Sequence, residues 1–105
     1  MCKTFYLDDV ERDITEAKRW YAEQQAGLDV RFSAAVKETI MNIAEMPLAF
    51  TVRYKNVRIA HVKVFPYNVH FHVDEDKTKV IIIGIIHSKK RDAIFLDRSY
   101  SGEEA

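Results

Sequence analysis

Residues 57–87 read VRIAHVKVFPYNVHFHVDEDKTKVIIIGIIH and specify most of the architecture. From Val57 onward, apolar residues recur at every second position, which is typical of a half-buried β-strand. The pattern predicts a strand from Val57 to Phe65, a turn at Pro66–Tyr67 and a returning strand from Asn68 to Asp74. If Phe65 pairs with Asn68, one face of this hairpin is apolar and is expected to pack against helices; it carries Ala60, Val62, Val64, Val69, Phe71 and Val73.

The opposite face of the hairpin is polar, and we expect it to be open to solvent. It carries Ile59, His61, Lys63, His70 and His72, a composition too polar for a core. The next strand, Lys79–His87, is apolar on both faces between Val80 and Ile86. Such a run is typical of a central strand.

Two amphipathic helices are predicted before the hairpin. Asp8 is expected to cap the first helix, with Glu11 completing a capping box, and Asp29 to cap the second, which ends at Pro47. The short Gly27–Asp29 link makes the two helices antiparallel. The apolar residues at helical spacing are Val10, Ile14, Ala17 and Tyr21 in the first helix and Phe32, Val36, Ile40 and Ile43 in the second.

These elements predict an α+β fold. An N-terminal strand, Lys3–Leu7, and the antiparallel helical hairpin are expected to pack on one face of a small, mostly antiparallel four-stranded sheet. Residues 47–56 are predicted to form a connecting loop. A chain of 105 residues is expected to hold one domain, 1–98, with a flexible tail over Ser99–Ala105.

The composition excludes several classes of protein. With 48% apolar residues and 16 Lys+Arg balancing 16 Asp+Glu, the chain is not disordered and does not wrap nucleic acid by net charge. The single cysteine, Cys2, cannot form an intrachain disulfide, which indicates a reducing compartment. The N-terminus lacks the apolar stretch of a signal peptide, and the longest apolar run, Val80–Ile86, is too short to span a bilayer. We therefore expect a cytoplasmic protein without membrane contact.

The histidines of the polar face are a candidate metal site. In the predicted register His61 lies opposite His72, and Lys63 lies opposite His70. Three imidazoles on one face could ligate zinc. The simpler interpretation is a solvated face, because Lys63 places a cation within the group and no carboxylate supports the ligands. We assign no metal and no other cofactor.

The end of the apolar strand is a second candidate site. His87 is followed by Ser88 and three cations, Lys89, Lys90 and Arg91. Such a set can supply a general acid or base and stabilise developing phosphate charge, although a solvated strand end is the simpler interpretation. Arg58, at the start of the hairpin, is either a functional cation or the partner of an acidic side chain.

The ordered set of these features resembles the RelE/ParE toxin superfamily over roughly residues 6–98. In the helices, the matching residues are Asp13-Ile14-Thr15-Glu16-Ala17, Trp20-Tyr21, Gly27-Leu28 and Phe32. In the later part of the chain they are Arg58, Phe65-Pro66-Tyr67, His87, Arg91 and Arg98. The chain is most similar to members described as plasmid stabilisation proteins.

The resemblance implies a growth-inhibiting toxin of a type II toxin–antitoxin module. A small antitoxin protein would wrap around it in a hetero-oligomer. ParE-like members inhibit DNA gyrase, whereas RelE-like members cleave messenger RNA on the ribosome with basic residues and an aromatic or His on the open sheet face. A RelE-like activity would use Arg58, His87 and Arg91 as catalytic residues. The residues expected to bind the target are Lys63, Tyr67, Lys89, Lys90 and Arg98.

Two features favour the ParE-like branch and therefore gyrase as the target. The net charge is zero, and Phe95 supplies an aromatic residue before the final Arg98. Asp92-Ala93 departs from the pattern, because many such relatives carry a proline there. A ribosome-dependent endoribonuclease and a non-toxic, degenerate binding module are the alternatives.

Overall fold

A computed structural model of the chain describes residues 2–90. The predicted site residues Arg91 and Arg98 and the predicted tail Ser99–Ala105 lie outside the described residues. The elements follow the order β1 (Lys3–Tyr6), α1 (Asp8–Gln24), α2 (Leu28–Glu45), β2 (Val52–Tyr54), β3 (Val57–His61), β4 (Tyr67–Val73) and β5 (Lys79–His87), with short 3-10 turns at Pro47–Ala49 and Ser88–Lys90.

The described strands form one sheet of five strands in the order β1-β5-β4-β3-β2. β1 runs parallel to β5, and the other neighbours are antiparallel. The predicted α+β class is confirmed, but the predicted number of four strands is wrong. The additional strand, β2, lies in the segment predicted to be a loop, because its three residues are too few for a periodic signal.

β5 is the central strand that its apolar run predicts. It pairs with β1 up to Ile82 and with β4 on its other side. Ile82 pairs with Phe71 whereas Gly84 pairs with His70, so Ile83 is an extra residue in β5. Such a bulge bends the strand and increases its local twist.

The helical hairpin covers one face of the sheet. The N-caps are Leu7 and Gly27, and neither makes a side-chain capping hydrogen bond. The predicted caps are therefore wrong: Asp8 and Asp29 lie in the first helical turns, where a carboxylate still interacts favourably with the helix dipole. Neither helix is long and apolar enough to cross a membrane, and this holds for residues 2–90 as a whole. The buried side chains that face the sheet are Val10, Ala17 and Tyr21 from α1 and Phe32, Val36 and Ile43 from α2.

The β3–β4 hairpin is shorter than predicted. β3 ends at His61, which pairs with Asn68, and residues 62–66 form a loop. Relative to the predicted register the pairing moves by an even number of residues, so the core-facing side chains keep their face. Val62 is buried as predicted, but Val64 is exposed. The position predicted for Val64, inside the hairpin, is therefore wrong.

The sheet face opposite the helices is not the open surface that its composition predicts. His70 is fully buried and His72 is 8% exposed, whereas His61 is exposed. The Tyr54 hydroxyl lies 3.0 Å from Nδ1 of His70, and Nδ1 of His72 donates to the Asn56 carbonyl at 3.3 Å. The sequence pattern misses this burial because the covering residues come from the segment predicted to be a loop.

The predicted pairing of His61 with His72 is also not formed. His61 pairs with Asn68, and His72 pairs with Val57. Across residues 2–90, no three His, Cys, Asp or Glu side chains are arranged to hold a metal ion.

Candidate functional site

Of the predicted target-binding residues, Lys63, Tyr67 and Lys89 lie around the point where β4 begins and β5 ends. Tyr67 and His87 are directly paired across these strands. Lys63 lies in the loop that precedes β4, and Ser88 and Lys89 form the turn that follows β5. We call this group, Lys63, Tyr67, His87, Ser88 and Lys89, the sheet-end cluster. Lys90 belongs to the same turn.

An aromatic contact fixes the centre of the sheet-end cluster. The rings of Tyr67 and His87 meet edge to face with their centroids 5.2 Å apart. The Tyr67 ring also lies 5.1 Å from Phe32 and 6.2 Å from Tyr21. Because those two residues belong to the helices, the pair lies on the helix-facing side of the sheet. The predicted placement of His87 on the open face is therefore wrong.

His87 is half-buried and its orientation is set by the backbone. Its Nδ1 accepts the backbone N–H of Lys89 at 3.1 Å. A neutral imidazole in this position carries its proton on Nε2 and can donate it outward. The N–H of Ser88 donates to the Pro66 carbonyl at 2.9 Å, which joins this turn to the β3–β4 loop. The two segments are thus one connected surface.

A second polar chain runs along the other side of the same sheet end. Nδ1 of His61 donates to Oδ1 of Asn68 at 3.2 Å, and Nδ2 of Asn68 lies 3.4 Å from the Ser88 hydroxyl. The contacting residues are half-buried or exposed. Asn68 was not singled out from the sequence, and only its pairing with His61 reveals its role.

Carboxylates of α1 shape the electrostatics beside Tyr67. Burial raises the pKa of Tyr67, and the negative charge near it, from Tyr21 when ionised and from Asp13 and Glu16, raises the pKa further. The phenol is therefore neutral at physiological pH and serves as a hydrogen-bond donor or acceptor. The carboxylates of α1 therefore place negative charge beside Tyr67.

Asp13 also supports β5 directly. Its carboxylate oxygen Oδ2 accepts the backbone N–H of Ile85 at 3.0 Å. β1 stops pairing at Ile82, so this part of β5 no longer has β1 as a hydrogen-bonding neighbour. A half-buried amide without an acceptor is costly, and Asp13 supplies one. In the sequence this residue stands next to the apolar stripe of α1 and gives no sign of the contact.

Arg58 is not brought together with His87. Its guanidinium Nη1 donates to the Phe50 carbonyl, and the residue is half-buried. Arg58 pairs with Phe71, whereas His87 pairs with Tyr67 at the start of β4. The two positions are about 13 Å apart along β4 and lie on strands either side of it. Within the described residues, Arg58 therefore holds the chain before β2 and does not join the sheet-end cluster.

An apolar cleft lies at the β1 edge of the sheet. It has a volume of about 530 Å³ and runs between β1 and the two helices. β1 is the outermost strand on this side of the described sheet, and Tyr6 and Met41 are about half exposed there. The side chains that line the cleft include Cys2, Thr4, Tyr6, Ile14, Ile40 and Met41.

Comparison with known proteins yields a family match and a structural match. A family model described as the ParE toxin of the type II toxin–antitoxin system parDE matches residues 5–91. A solved structure described as the chromosomal ParDE toxin–antitoxin system from P. aeruginosa has a TM-score of 0.69 at 14% sequence identity, over 83% of this chain and 96% of that chain. At this identity the structural likeness concerns the fold alone. A search of curated protein sequences gave no match.

Proposed function

The chain belongs to the ParE family of toxins of type II toxin–antitoxin systems, and from this premise we propose that it arrests growth by binding DNA gyrase in the cytoplasm. The sheet-end cluster is the surface that we assign to this contact. The observation that carries the proposal is the Tyr67–His87 pair, an aromatic contact held on a packed core beside carboxylates of α1.

This arrangement favours a protein target over a phosphate backbone. Protein interfaces typically place aromatic residues at the centre and charged residues at a solvated rim. Here Tyr67 and His87 form the centre, and the exposed Lys63 and Lys89 form the rim. An RNA-cleaving site instead needs cations that converge on one phosphate, whereas the carboxylates of α1 lie beside Tyr67.

Inhibition of DNA supercoiling by purified gyrase tests the proposal. The wild-type chain is expected to inhibit supercoiling, and Lys89→Glu to weaken inhibition several-fold by reversing a rim charge. Arg53→Glu is the matched control, because Arg53 is an exposed cation on β2, at the far edge of the sheet. Unchanged supercoiling with wild-type chain at micromolar concentration would overturn the proposal.

A second candidate function is cleavage of messenger RNA on the ribosome. It is favoured by His87: because its Nδ1 accepts the Lys89 N–H, a neutral imidazole carries its proton on Nε2, where it can donate a hydrogen bond that stabilises developing phosphate charge. Mapping of transcript ends after expression of wild type and His87→Ala distinguishes the two functions. Intact transcripts during growth arrest exclude the nuclease, whereas cleavage that depends on His87 excludes a purely gyrase-directed toxin.

We assign neutralisation by the antitoxin to the apolar cleft beside β1. An outermost strand offers unpaired backbone groups to an added strand, and the cleft offers apolar surface to alternate side chains of the same peptide. Exposed apolar surface of this kind commonly marks a protein contact. The antitoxin would then occupy the β1 edge of the sheet, and gyrase the ends of β4 and β5.

Charge placed in the cleft tests this assignment. Met41→Glu is expected to abolish rescue by the small protein encoded beside this gene while toxicity persists. Met46→Glu is the matched control, because Met46 is even more exposed than Met41 but does not line the cleft. Full rescue of Met41→Glu would place the antitoxin elsewhere.

A further inference from the structure

Val64 combines two properties that are each unfavourable for stability. Its φ angle is +77°, a left-handed conformation in which a β-branched residue is strained. Its side chain is 77% exposed, so burial of its methyl groups does not offset the strain. A glycine or an asparagine adopts this conformation more readily.

The conformation itself is imposed by the ends of the loop. Val62 is fully buried on one side of Val64, and its N–H donates to the Tyr67 carbonyl at 2.9 Å. Phe65 is buried on the other side, with its ring 5.0 Å from Tyr21 and 5.2 Å from Phe32. The chain between two such anchors has little freedom.

Backbone hydrogen bonds at the C-terminal end of the loop also hold it in place. The N–H of Tyr67 donates to the Phe65 carbonyl at 2.8 Å, across Pro66. The Pro66 carbonyl accepts the N–H of Ser88. These contacts explain why position 64 is left-handed, but they do not explain why it is valine. Strained residues held by over-determined surroundings are characteristic of functional sites.

Val64 lies between Lys63 and Tyr67, two residues of the sheet-end cluster, so it is continuous with the proposed gyrase contact. We propose that Val64 is a pre-positioned anchor that inserts into an apolar pocket of gyrase; this inference rests on the proposed function. An aliphatic side chain can fill a protein pocket, whereas it neither stacks on bases as an aromatic ring does nor pairs with phosphate. Its rigid presentation lowers the entropy lost on binding.

The neighbouring surface indicates the chemistry of that pocket. A shallow cleft of about 310 Å³ adjoins Val64 and is lined by residues of α2 and the loop, including Arg31, Glu38 and Lys63. Arg31 and Lys63 outnumber the single carboxylate of Glu38. We therefore expect an apolar pocket with acidic residues on its rim.

The test compares stability with gyrase inhibition in the same variants of the 105-residue chain. Val64→Asn relieves the strain and removes the aliphatic anchor. Its melting temperature is expected to stay equal or to rise by up to about 5 °C. The concentration needed for half-inhibition of supercoiling by purified gyrase is expected to rise about tenfold. Val30→Ala removes an exposed valine from α2 and should change neither quantity appreciably.

The outcomes distinguish failure of the anchor from failure of the proposed function. Inhibition by wild type with a tenfold weaker Val64→Asn supports both. Equal inhibition by the two proteins overturns the anchor and leaves gyrase binding intact. A melting temperature several degrees lower in Val64→Asn also overturns it, because valine would then serve the fold. If wild type does not inhibit gyrase, the proposed function fails and the anchor fails with it.

Discussion

The two turns that flank β4 are built on opposite principles. The Asp74–Thr78 turn is held by its own polar groups: Oδ1 of Asp74 accepts the N–H groups of Thr78 and Lys79 at 3.0 Å each. Its left-handed position is occupied by Lys77, which is unbranched at Cβ. The loop at residues 62–66 is held instead by buried side chains and places the branched, apolar Val64 in the left-handed position.

The difference indicates which turn serves the fold and which serves a contact. Local hydrogen bonds from the backbone to an aspartate side chain stabilise a turn and need no partner outside it. In the loop at 62–66, the packing of Phe65 stabilises a loop in which Val64 is both strained and exposed to solvent. Both turns belong to the same two-layer fold, so the difference between them comes from the residues of the turns themselves.

Removal of the Phe65 ring is expected to have the largest effect on this comparison. Phe65→Ala leaves a cavity between Tyr21 and Phe32 and should lower the free energy of unfolding by about 3–5 kcal/mol. Urea denaturation measures the loss. Phe5→Ala, at a half-exposed residue of β1, is the control and should cost clearly less. A loss below about 1 kcal/mol would show that packing does not hold the loop.

Asp13→Ala tests the support of β5 at the sheet end. The first residues of β5 pair with β1, whereas further along the strand the Asp13 carboxylate accepts the Ile85 N–H. Loss of this acceptor from a half-buried amide is expected to cost about 1–3 kcal/mol. Hydrogen exchange should accelerate at Ile85 more than at Val80. Equal acceleration at both amides would mean that Asp13 stabilises the fold only globally.

Much of the fold follows from periodicity, because the strongest patterns coincide with the buried elements. The helical stripes and the apolar run of β5 predict the layers and the α+β class. The sequence could not predict β2, since three residues carry no period, nor the burial of His70 beneath Tyr54, since that depends on β2. The predicted helix caps are wrong because the N-cap residues, Leu7 and Gly27, begin the helices without a side-chain hydrogen bond.

The sequence singles out residues of the candidate site, but it does not predict how they are arranged. Tyr67 and His87 were both identified, yet their contact depends on a register that the loop length sets. The resemblance to the RelE/ParE superfamily groups Arg58 with His87, and only the strand order separates them. Val64 was misplaced because alternation continues through a loop where the strand itself has stopped.

The Asp74 turn can be weakened by acid as well as by substitution. The Lys79 N–H, assisted by the Thr78 N–H and the Lys79 ammonium, holds the pKa of Asp74 below its ordinary value of 3.8. Because the folded pKa is lowered, this stabilisation is present above pH 3.8 and disappears as the pH falls through the folded value. Asp74→Ala should lower the melting temperature by a few degrees at pH 7. That difference should vanish in strong acid, and a constant difference across this range would contradict the assignment.

The sheet end, in contrast, is expected to lose stability at alkaline pH. Burial, followed by the charges of Tyr21, Asp13 and Glu16, raises the pKa of Tyr67. A raised folded pKa means that the stabilisation is complete below the ordinary tyrosine value of about 10 and is lost as the pH rises through the folded value. Tyr67→Phe keeps the ring contacts and removes the ionising group. Its melting temperature should therefore fall less between pH 8 and pH 11 than that of the wild type.

Tyr21→Phe provides the matched comparison, because burial also raises the pKa of Tyr21. Each single variant is expected to reduce the fall in melting temperature at alkaline pH, and the double variant to reduce it further. Since the Tyr21 charge acts on Tyr67, the two effects should not add fully. If the melting temperature of Tyr67→Phe fell as steeply with rising pH as that of wild type, the Tyr67 phenol would be solvent-exposed. The Tyr67–His87 pair at the centre of the sheet-end cluster would then not be packed on the core.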